Sequence, residues 1–373
     1  MSIRMIDLPA EYLQIEKELL PAITAVLKSG SYIQGNIVKT FENQLAAYLN
    51  VKHVISCGNG TDALQIALMA LGIKAGDEVI LPAFSYIAVA EVVCLLGATP
   101  VFVDVDDTYF QLNPIEVKKH ITPRTKAIIP VHLFGQSANL EHILELAAQN
   151  NIKVVEDCAQ SLGGKYEING KQEFLGTIGN FGCTSFFPTK NLSCFGDGGA
   201  LFTNDDELAT KARMIANHGQ KEKYNHQLVG INSRLDSLQA AILTIKLANL
   251  TKLLNQKSTL AKQYLDNLNH ISNVGLPQTH PKSSNSWHQF TIKVKKGLRD
   301  QLRAELKSVG TESMIYYPMP IPQQPAYQQF NENYPVAEQL SEEVLSLPIH
   351  PLLDTSDIDY ICLKLYEFFN ARI

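Results

Sequence analysis

Lys190 is the residue of this chain best placed for covalent chemistry. It stands in Ser185-Phe186-Phe187-Pro188-Thr189-Lys190-Asn191-Leu192, just ahead of Gly196-Asp197-Gly198-Gly199. A loop lysine is ordinarily solvated. Flanked by Phe186, Phe187, Pro188 and Leu192, its amine is partly desolvated, which lowers its pKa and suits it to Schiff-base formation. Asp157 closes the apolar run Val154-Val155-Glu156 and precedes Cys158-Ala159-Gln160-Ser161. A carboxylate at the carboxyl end of a buried strand faces a ligand crevice, although an Asp capping a following helix has the same signature. Gly58-Asn59-Gly60-Thr61-Asp62-Ala63-Leu64 follows a strand pattern and opens a helix, where free backbone N–H groups cradle a phosphate. It is not G-x-G-x-x-G, because Ala63 fills the third glycine position, and it is not a P-loop. Alone it would be explained by a plain helix cap at Thr61 or Asp62.

The elements that carry these residues alternate. The pattern predicts strands over 53–56, 78–82, 99–104, 126–130 and 153–156. Helical patterns over 62–71, 88–96 and 140–149 separate them. This alternation predicts an α/β domain with a mostly parallel sheet and helices on both faces. Ligands of such sheets bind beyond the carboxyl ends of the strands, where all three motifs fall. The character changes near residue 245. A long helical stretch over 235–268 leads to a strand over 290–294, a helix over 299–309, a proline-rich loop (Pro318, Pro320, Pro322, Pro325) and helices over 336–344 and 358–369. Residues 1–245 are therefore read as the large domain and 246–373 as a smaller α+β domain.

Composition narrows the function class. The chain has 373 residues, 45% hydrophobic and 18% charged, with a net charge of −5. That is an ordinary globular balance with a core large enough to need no staple. No basic block advertises nucleic acid. Six scattered cysteines form no CxxC pair, so no metal site is expected and buried thiols of a reducing compartment are. The N-terminus lacks a secretory pattern, and the most apolar stretch, 86–98, is too short to span a membrane. A cytoplasmic protein is expected.

A phosphate cup, an Asp about a hundred residues on, and a lysine 33 residues after it fit pyridoxal phosphate (PLP). With Gly60-Thr61-Asp62-Ala63-Leu64, Gly76-Asp77-Glu78-Val79-Ile80, Glu156-Asp157-Cys158-Ala159-Gln160-Ser161, Ser185-to-Lys190 and Asn232-Ser233-Arg234-Leu235-Asp236, the sequence closely resembles the DegT/DnrJ/StrS sugar aminotransferases. The resemblance covers nearly the whole chain, to Ser346-Leu347-Pro348-Ile349-His350-Pro351. It implies the aspartate-aminotransferase-like fold (PLP fold type I). It also implies that Lys190 binds PLP covalently and then moves the substrate proton, while Asp157 keeps the pyridine nitrogen protonated. Gln160 would hydrogen-bond the ring's 3-oxygen, and Tyr86 would stack on the ring. Gly60, Thr61, Asp62 (through its backbone N–H) and Ser185 would hold the phosphate. Asn232 would reach it from a neighbouring subunit, which makes the site shared and a homodimer necessary. Relatives with His at the lysine position are dehydratases; Lys190 points to transamination.

The implied cycle is ping-pong. L-glutamate converts PLP to pyridoxamine phosphate (PMP), which then aminates a keto sugar on a nucleotide diphosphate. The stretches 53–60, 217–220, 224–226 and 318–325 resemble the group acting on C3 of UDP-2-acetamido-2-deoxy-3-keto-glucuronic acid. Such enzymes serve bacterial surface polysaccharides, among them lipopolysaccharide O-antigen. A dTDP-3-keto-6-deoxyhexose, or C4 of a 4-keto nucleotide sugar, are the alternatives. By the same resemblance Arg234 contacts the sugar through its planar fork. Tyr317 matches a family position, whereas Tyr316 stands where relatives often carry His. Lys221, Lys223 and His226 are read as a solvated loop or as diphosphate contacts, and Trp287 and His288 as lining the mouth of the site or packing.

Overall fold

In this computed structural model, residues 3–295 and 297–371 are described. Asp7 caps the first helix, its Oδ1 accepting from Ala10 N at 3.1 Å, and α1 (Leu8–Ser29) ends at Gly30 in the left-handed region. The helix α2 (Asn36–Leu49) follows. Then strands and helices alternate: β1 (His53–Cys57), α3 (Gly60–Ala70), β2 (Glu78–Pro82), α4 (Ala88–Leu95), β3 (Thr99–Val103), α5 (Pro114–His120), β4 (Thr125–Ile128), α6 (Leu140–Asn150) and β5 (Lys153–Asp157). A hairpin of β6 (Lys165–Ile168) and β7 (Lys171–Phe174) precedes β8 (Phe181–Ser185) and β9 (Gly199–Thr203).

Seven of these strands form one sheet in the order β1-β9-β8-β5-β4-β2-β3. The pairs β8·β5, β5·β4, β4·β2 and β2·β3 are parallel, and only β9 runs against its neighbours. The α/β architecture with a mostly parallel sheet is therefore as expected. Strands β2 and β5 are buried almost throughout, as a sheet covered on both faces requires, and β2 reads as a nearly continuous apolar run. One face packs on α3 and α4 through Leu64, Ala67, Leu68, Val89 and Val93. The opposite face at the β1–β9 side packs on α2 through Phe41, Leu45 and Leu49.

After α7 (Asp206–Ala216) comes a short exposed hairpin, β10 (Gln220–Glu222) and β11 (Asn225–His226), and then α8 (Ser237–Leu268). This long helix serves two cores. Leu243, Leu247, Leu250 and Leu254 belong with α2, and Leu260, Ala261, Tyr264 and Leu268 belong to a second core. That second core lies around a three-stranded antiparallel sheet of β12 (Val274–Gly275), β14 (Phe290–Val294) and, past α9 (Arg299–Ser308) and α10 (Pro335–Glu343), β15 (Val344–Leu347), while the intervening β13 (Ser283–Ser284) pairs with β6. The helix α11 (Thr355–Asn370) covers it, started by a capping box between Asp354 and Asp357. Ile3 joins this core and pairs with Thr311.

One close approach under the sheet is testable. A Cβ on Gly182 of β8 would lie 2.0 Å from Gly176 O, which is backbone and cannot swing away. Gly182→Ala is expected to destabilise the fold by about 1–3 kcal/mol, the usual range for overpacking, as read by urea denaturation.

Candidate active site

Five chain segments converge beyond the carboxyl ends of the strands. Asp157 is the last residue of β5, Ser185 the last of β8, Gly60 the first of α3 after β1, and Tyr86 follows β2. Lys190 sits on the loop between β8 and β9. That loop is pinned by Phe186 N donating to Gly198 O and Cys194 N donating to Phe186 O, both at 2.7 Å, and by Lys190 N donating to Phe187 O at 2.8 Å.

Asp157 is buried at 7% exposure, and burial pushes its carboxyl above the ordinary aspartate range. The N–H of Ala159, donating to Oδ1 at 3.0 Å, and the charge of Lys190 pull the other way. Among the described residues no cation forms an ion pair with it. A buried carboxylate with one backbone donor is the group to hold an N–H⁺ of a heteroaromatic ring. Burial takes Lys190 from the usual lysine value down to about 8, and Asp157 opposes that shift. The uncharged amine, the nucleophilic form, is therefore present in quantity near neutrality. The uptake rate of an aldehyde cofactor by the bare chain should rise with pH and level off above a midpoint near about 8. Stopped-flow absorbance checks this; a midpoint near that of free lysine would refute it.

The candidate phosphate cup is compact. Asn59 Oδ1 accepts from Asp62 N at 2.8 Å, so that amide is already engaged in capping α3. The amides of Gly60 and Thr61 find no acceptor among the described residues, as helix N-termini dictate. Ser185 Oγ accepts from Phe187 N at 3.2 Å, which leaves its hydroxyl proton free to donate. A Cβ on Gly60 would sit 2.7 Å from Ser185 Cβ, so this close approach needs glycine. Ser233 was not singled out by the sequence. Its Oγ donates to Asp62 Oδ2 at 2.6 Å and accepts from Gly58 N at 2.9 Å, tying 232–234 to the cup. Beside it Asn232 is exposed, and Arg234 donates to Asn217 Oδ1 at 3.3 Å without a carboxylate partner among the described residues.

Gln160 bridges two elements. Its Oε1 accepts from Phe134 N at 2.8 Å and its Nε2 donates to the Tyr317 hydroxyl at 3.1 Å. Tyr86 is 57% exposed, with its ring 6.1 Å from that of Tyr317, so it is no core aromatic. Tyr316 lines a cavity with Lys190 and His288. Lys221, Lys223 and His226 lie on or beside the exposed β10–β11 hairpin, and Trp287 packs on Phe290.

Behind Asp157 lies a pair that sequence reading passed over. Glu156 and His132 are both fully buried, and His132 Nε2 donates to Glu156 Oε2 at 2.9 Å. The same carboxylate accepts from the amides of Gly176 at 2.9 Å, Ile178 at 2.8 Å and Gly179 at 2.6 Å. His132 Nδ1 accepts from Ala138 N at 3.1 Å, which fixes the ring's orientation. Glu156 thus anchors the strand end that presents Asp157. No pattern in the sequence signals this, because the donors come from a loop some twenty residues away.

Among the described residues there is no cluster able to hold a metal ion, and no helix is long and apolar enough to cross a membrane.

Comparison with known proteins places the chain in a family. The DegT/DnrJ/EryC1/StrS aminotransferase family matches over residues 13–366. The UDP-2-acetamido-2-deoxy-3-oxo-D-glucuronate aminotransferase of Pseudomonas aeruginosa is 45% identical over 363 residues, covering 97% of this chain and 99% of the relative. The crystal structure of DesV from S. venezuelae, in complex with a ketimine intermediate, superposes with a TM-score of 0.94 at 41% identity, covering 98% of each chain. A structure of NtdA from Bacillus subtilis with bound cofactor PMP gives 0.91 at 30% identity, covering 99% of this chain and 85% of that one.

Proposed function

The chain belongs to the DegT/DnrJ/EryC1/StrS aminotransferase family, and from that premise we propose that it carries an amino group from L-glutamate to C3 of UDP-2-acetamido-2-deoxy-3-keto-glucuronic acid. The observation that carries the reading is a desolvated, partly neutral Lys190 on the β8–β9 loop that feels the charge of the buried Asp157 ending β5. The cofactor is pyridoxal phosphate, which when bound supplies an aldehyde carbon to receive amino groups and a ring that draws electrons from the carbon being deprotonated.

The chain's own residues do the rest. The Lys190 amine would take the proton from the substrate carbon and hand it to the cofactor's C4′. Asp157 keeps a proton on the ring nitrogen. Gly60, Thr61 and Ser185 donate to the phosphate. In this reading Asp62 contributes to the cup's shape through Ser233 rather than through its amide, because Asn59 already occupies that donor. Tyr86 would lie over the ring, and Gln160 and Tyr317 would hold its oxygen edge. Arg234 and Tyr316 meet the sugar, and Asn232 of a second copy completes the cup, so the working unit is a cytoplasmic homodimer. Residues 1–245 hold the cofactor and 246–373 form the smaller domain, with α8 as their shared spine. The product enters a bacterial surface polysaccharide such as lipopolysaccharide O-antigen.

The test separates the two half-reactions. Holoenzyme is bleached with L-glutamate and then offered the UDP-linked 3-keto acid or, separately, a 4-keto-6-deoxy nucleotide sugar. Return of the visible band with the 3-keto acid alone is expected. Return with the 4-keto sugar alone would overturn C3 amination.

A further inference from the structure

The cavity beside Lys190 holds more polar capacity than the residues assigned above use. It measures about 450 Å³ and is walled by α1, α8 and the segment 349–352. At its wall lies Lys257 of α8, 7% exposed. Its ammonium donates to Asn191 Oδ1 at 2.9 Å and to His288 O at 3.4 Å, and Asn191 is itself held by Ser286 O at 3.2 Å. An ammonium has three donors, so one remains unspent. Among the described residues no carboxylate pairs with Lys257. Its neighbour on the helix, Lys246, is by contrast neutralised by Glu11 at 2.8 Å. Three further buried atoms of the same cavity have no hydrogen-bond partner among the described residues: His288 Nδ1, His350 Nδ1 and Gln289 Oε1. Folded proteins seldom leave such groups bare unless a ligand or solvent completes them.

We propose that this cavity is a carboxylate subsite, in which the free N–H of Lys257 and a ring N–H of His288 grip a carboxylate of the co-substrate that brings the amino group in and leaves as the oxo acid. The inference rests on the transaminase reading and names where its donor binds. Burial alone brings Lys257 down to about 7, so an arriving carboxylate draws a proton onto it, and the buried ammonium so formed selects an anion. Burial and the neighbouring lysines hold His288 well below the ordinary histidine range, so it enters as a neutral donor. One cation with neutral donors matches a singly charged carboxylate better than a phosphate dianion. Lys190 lines the same cavity, so a small dicarboxylate has its reacting carbon and its distal acid served within one space. A uronic acid sugar carries a carboxylate as well, and the experiment distinguishes the two.

Trp287 is the chain's single tryptophan and adjoins His288, so its fluorescence reports on this cavity. Holoenzyme is titrated with glutarate, a five-carbon diacid without an amino group. Wild type should bind glutarate at least tenfold more tightly than butyrate, a comparison that needs no variant. Lys257→Met should weaken glutarate at least tenfold with an unchanged circular dichroism spectrum, and Lys257→Arg should restore most of it. Equal affinity for the two acids in wild type, or unaltered glutarate binding in a folded Lys257→Met, overturns the proposal. If Lys257→Met instead weakens UDP-linked 2-acetamido-glucuronic acid alone, the sugar's acid is the occupant and the donor assignment falls. Bleaching of wild type by saturating L-glutamate tests the transaminase reading separately, whatever glutarate does.

Discussion

Lys190→Ala should lower the single-turnover rate of the glutamate half-reaction by at least about 10³-fold, since positioned proton transfer contributes roughly 10²–10⁴ and a covalent tether is lost with it. The residue makes two separable contributions. Burial brings its amine to about 8, where the uncharged form is available, and the amine also feels Asp157. Removing it removes both the anchor and the proton carrier. The variant should therefore bind cofactor loosely, losing it on gel filtration, while its cup of Gly60, Thr61 and Ser185 stays intact. A small primary amine added to the solution should recover part of the rate, because it replaces the proton carrier without the tether. A variant within tenfold of wild type would remove Lys190 from the chemistry. The loop itself should survive, since its backbone bonds at Phe186, Lys190 and Cys194 do not involve the amine.

Asp157→Asn is the second large effect. The amide oxygen can keep the bond from Ala159 N, so geometry is retained while the charge is lost. Removing one preorganised electrostatic partner typically costs about 10²–10³ in rate, and a loss of that order is expected in both half-reactions. The substitution has a second signature that mere disruption would not produce. The Asp157 carboxylate favours the ammonium form of Lys190 and so raises its pKa against the burial effect. Without it the Lys190 value falls below about 8, and the pH midpoint for aldehyde uptake should move to lower pH. A rate loss with an unmoved midpoint would mean that the two groups do not sense each other.

Much of the fold is legible because period and burial agree. Strands 78–82 and 290–294 have the bounds that their apolar runs suggest, and the helical stretch over 235–268 is α8 almost end to end. The β6–β7 hairpin was not legible, because each strand has four residues, mostly polar: Lys165–Ile168 alternates too briefly to signal and Lys171–Phe174 does not alternate. Strand β15 was hidden at the end of a helical pattern, its Val344 continuing the apolar face of α10. In the site, Asp157, Ser185 and Gly60 could be read because each ends a strand or begins a helix, where sheet topology puts ligands. Lys257 and His350 could not be. A lysine inside a helical pattern looks like a solvated face, and only the packing of α8 against 288–289 and 349–352 takes it out of water. Glu156 was obscured by its neighbour, since its partners come from a loop and leave no spacing.

The antiparallel placement of β9 has a consequence for how the molecule tolerates changes of chain length. Two adjacent parallel strands would need a crossover around the sheet to connect them. Because β9 reverses direction, the connection from Ser185 to Gly199 leaves and re-enters at the same rim, where those two residues are paired. Insertions elsewhere on a rim cost little, only about 0.6 kcal/mol for each doubling of loop length. Between Ser185 and Gly199 the limit is position rather than entropy, because the bonds Phe186 N to Gly198 O, Cys194 N to Phe186 O and Lys190 N to Phe187 O clamp the loop onto itself and Lys190 lies between those clamps. Length variation should therefore be admitted at the β10–β11 hairpin and refused between the clamps. Random insertion across the gene, scored for retained colour, would map that boundary one codon at a time.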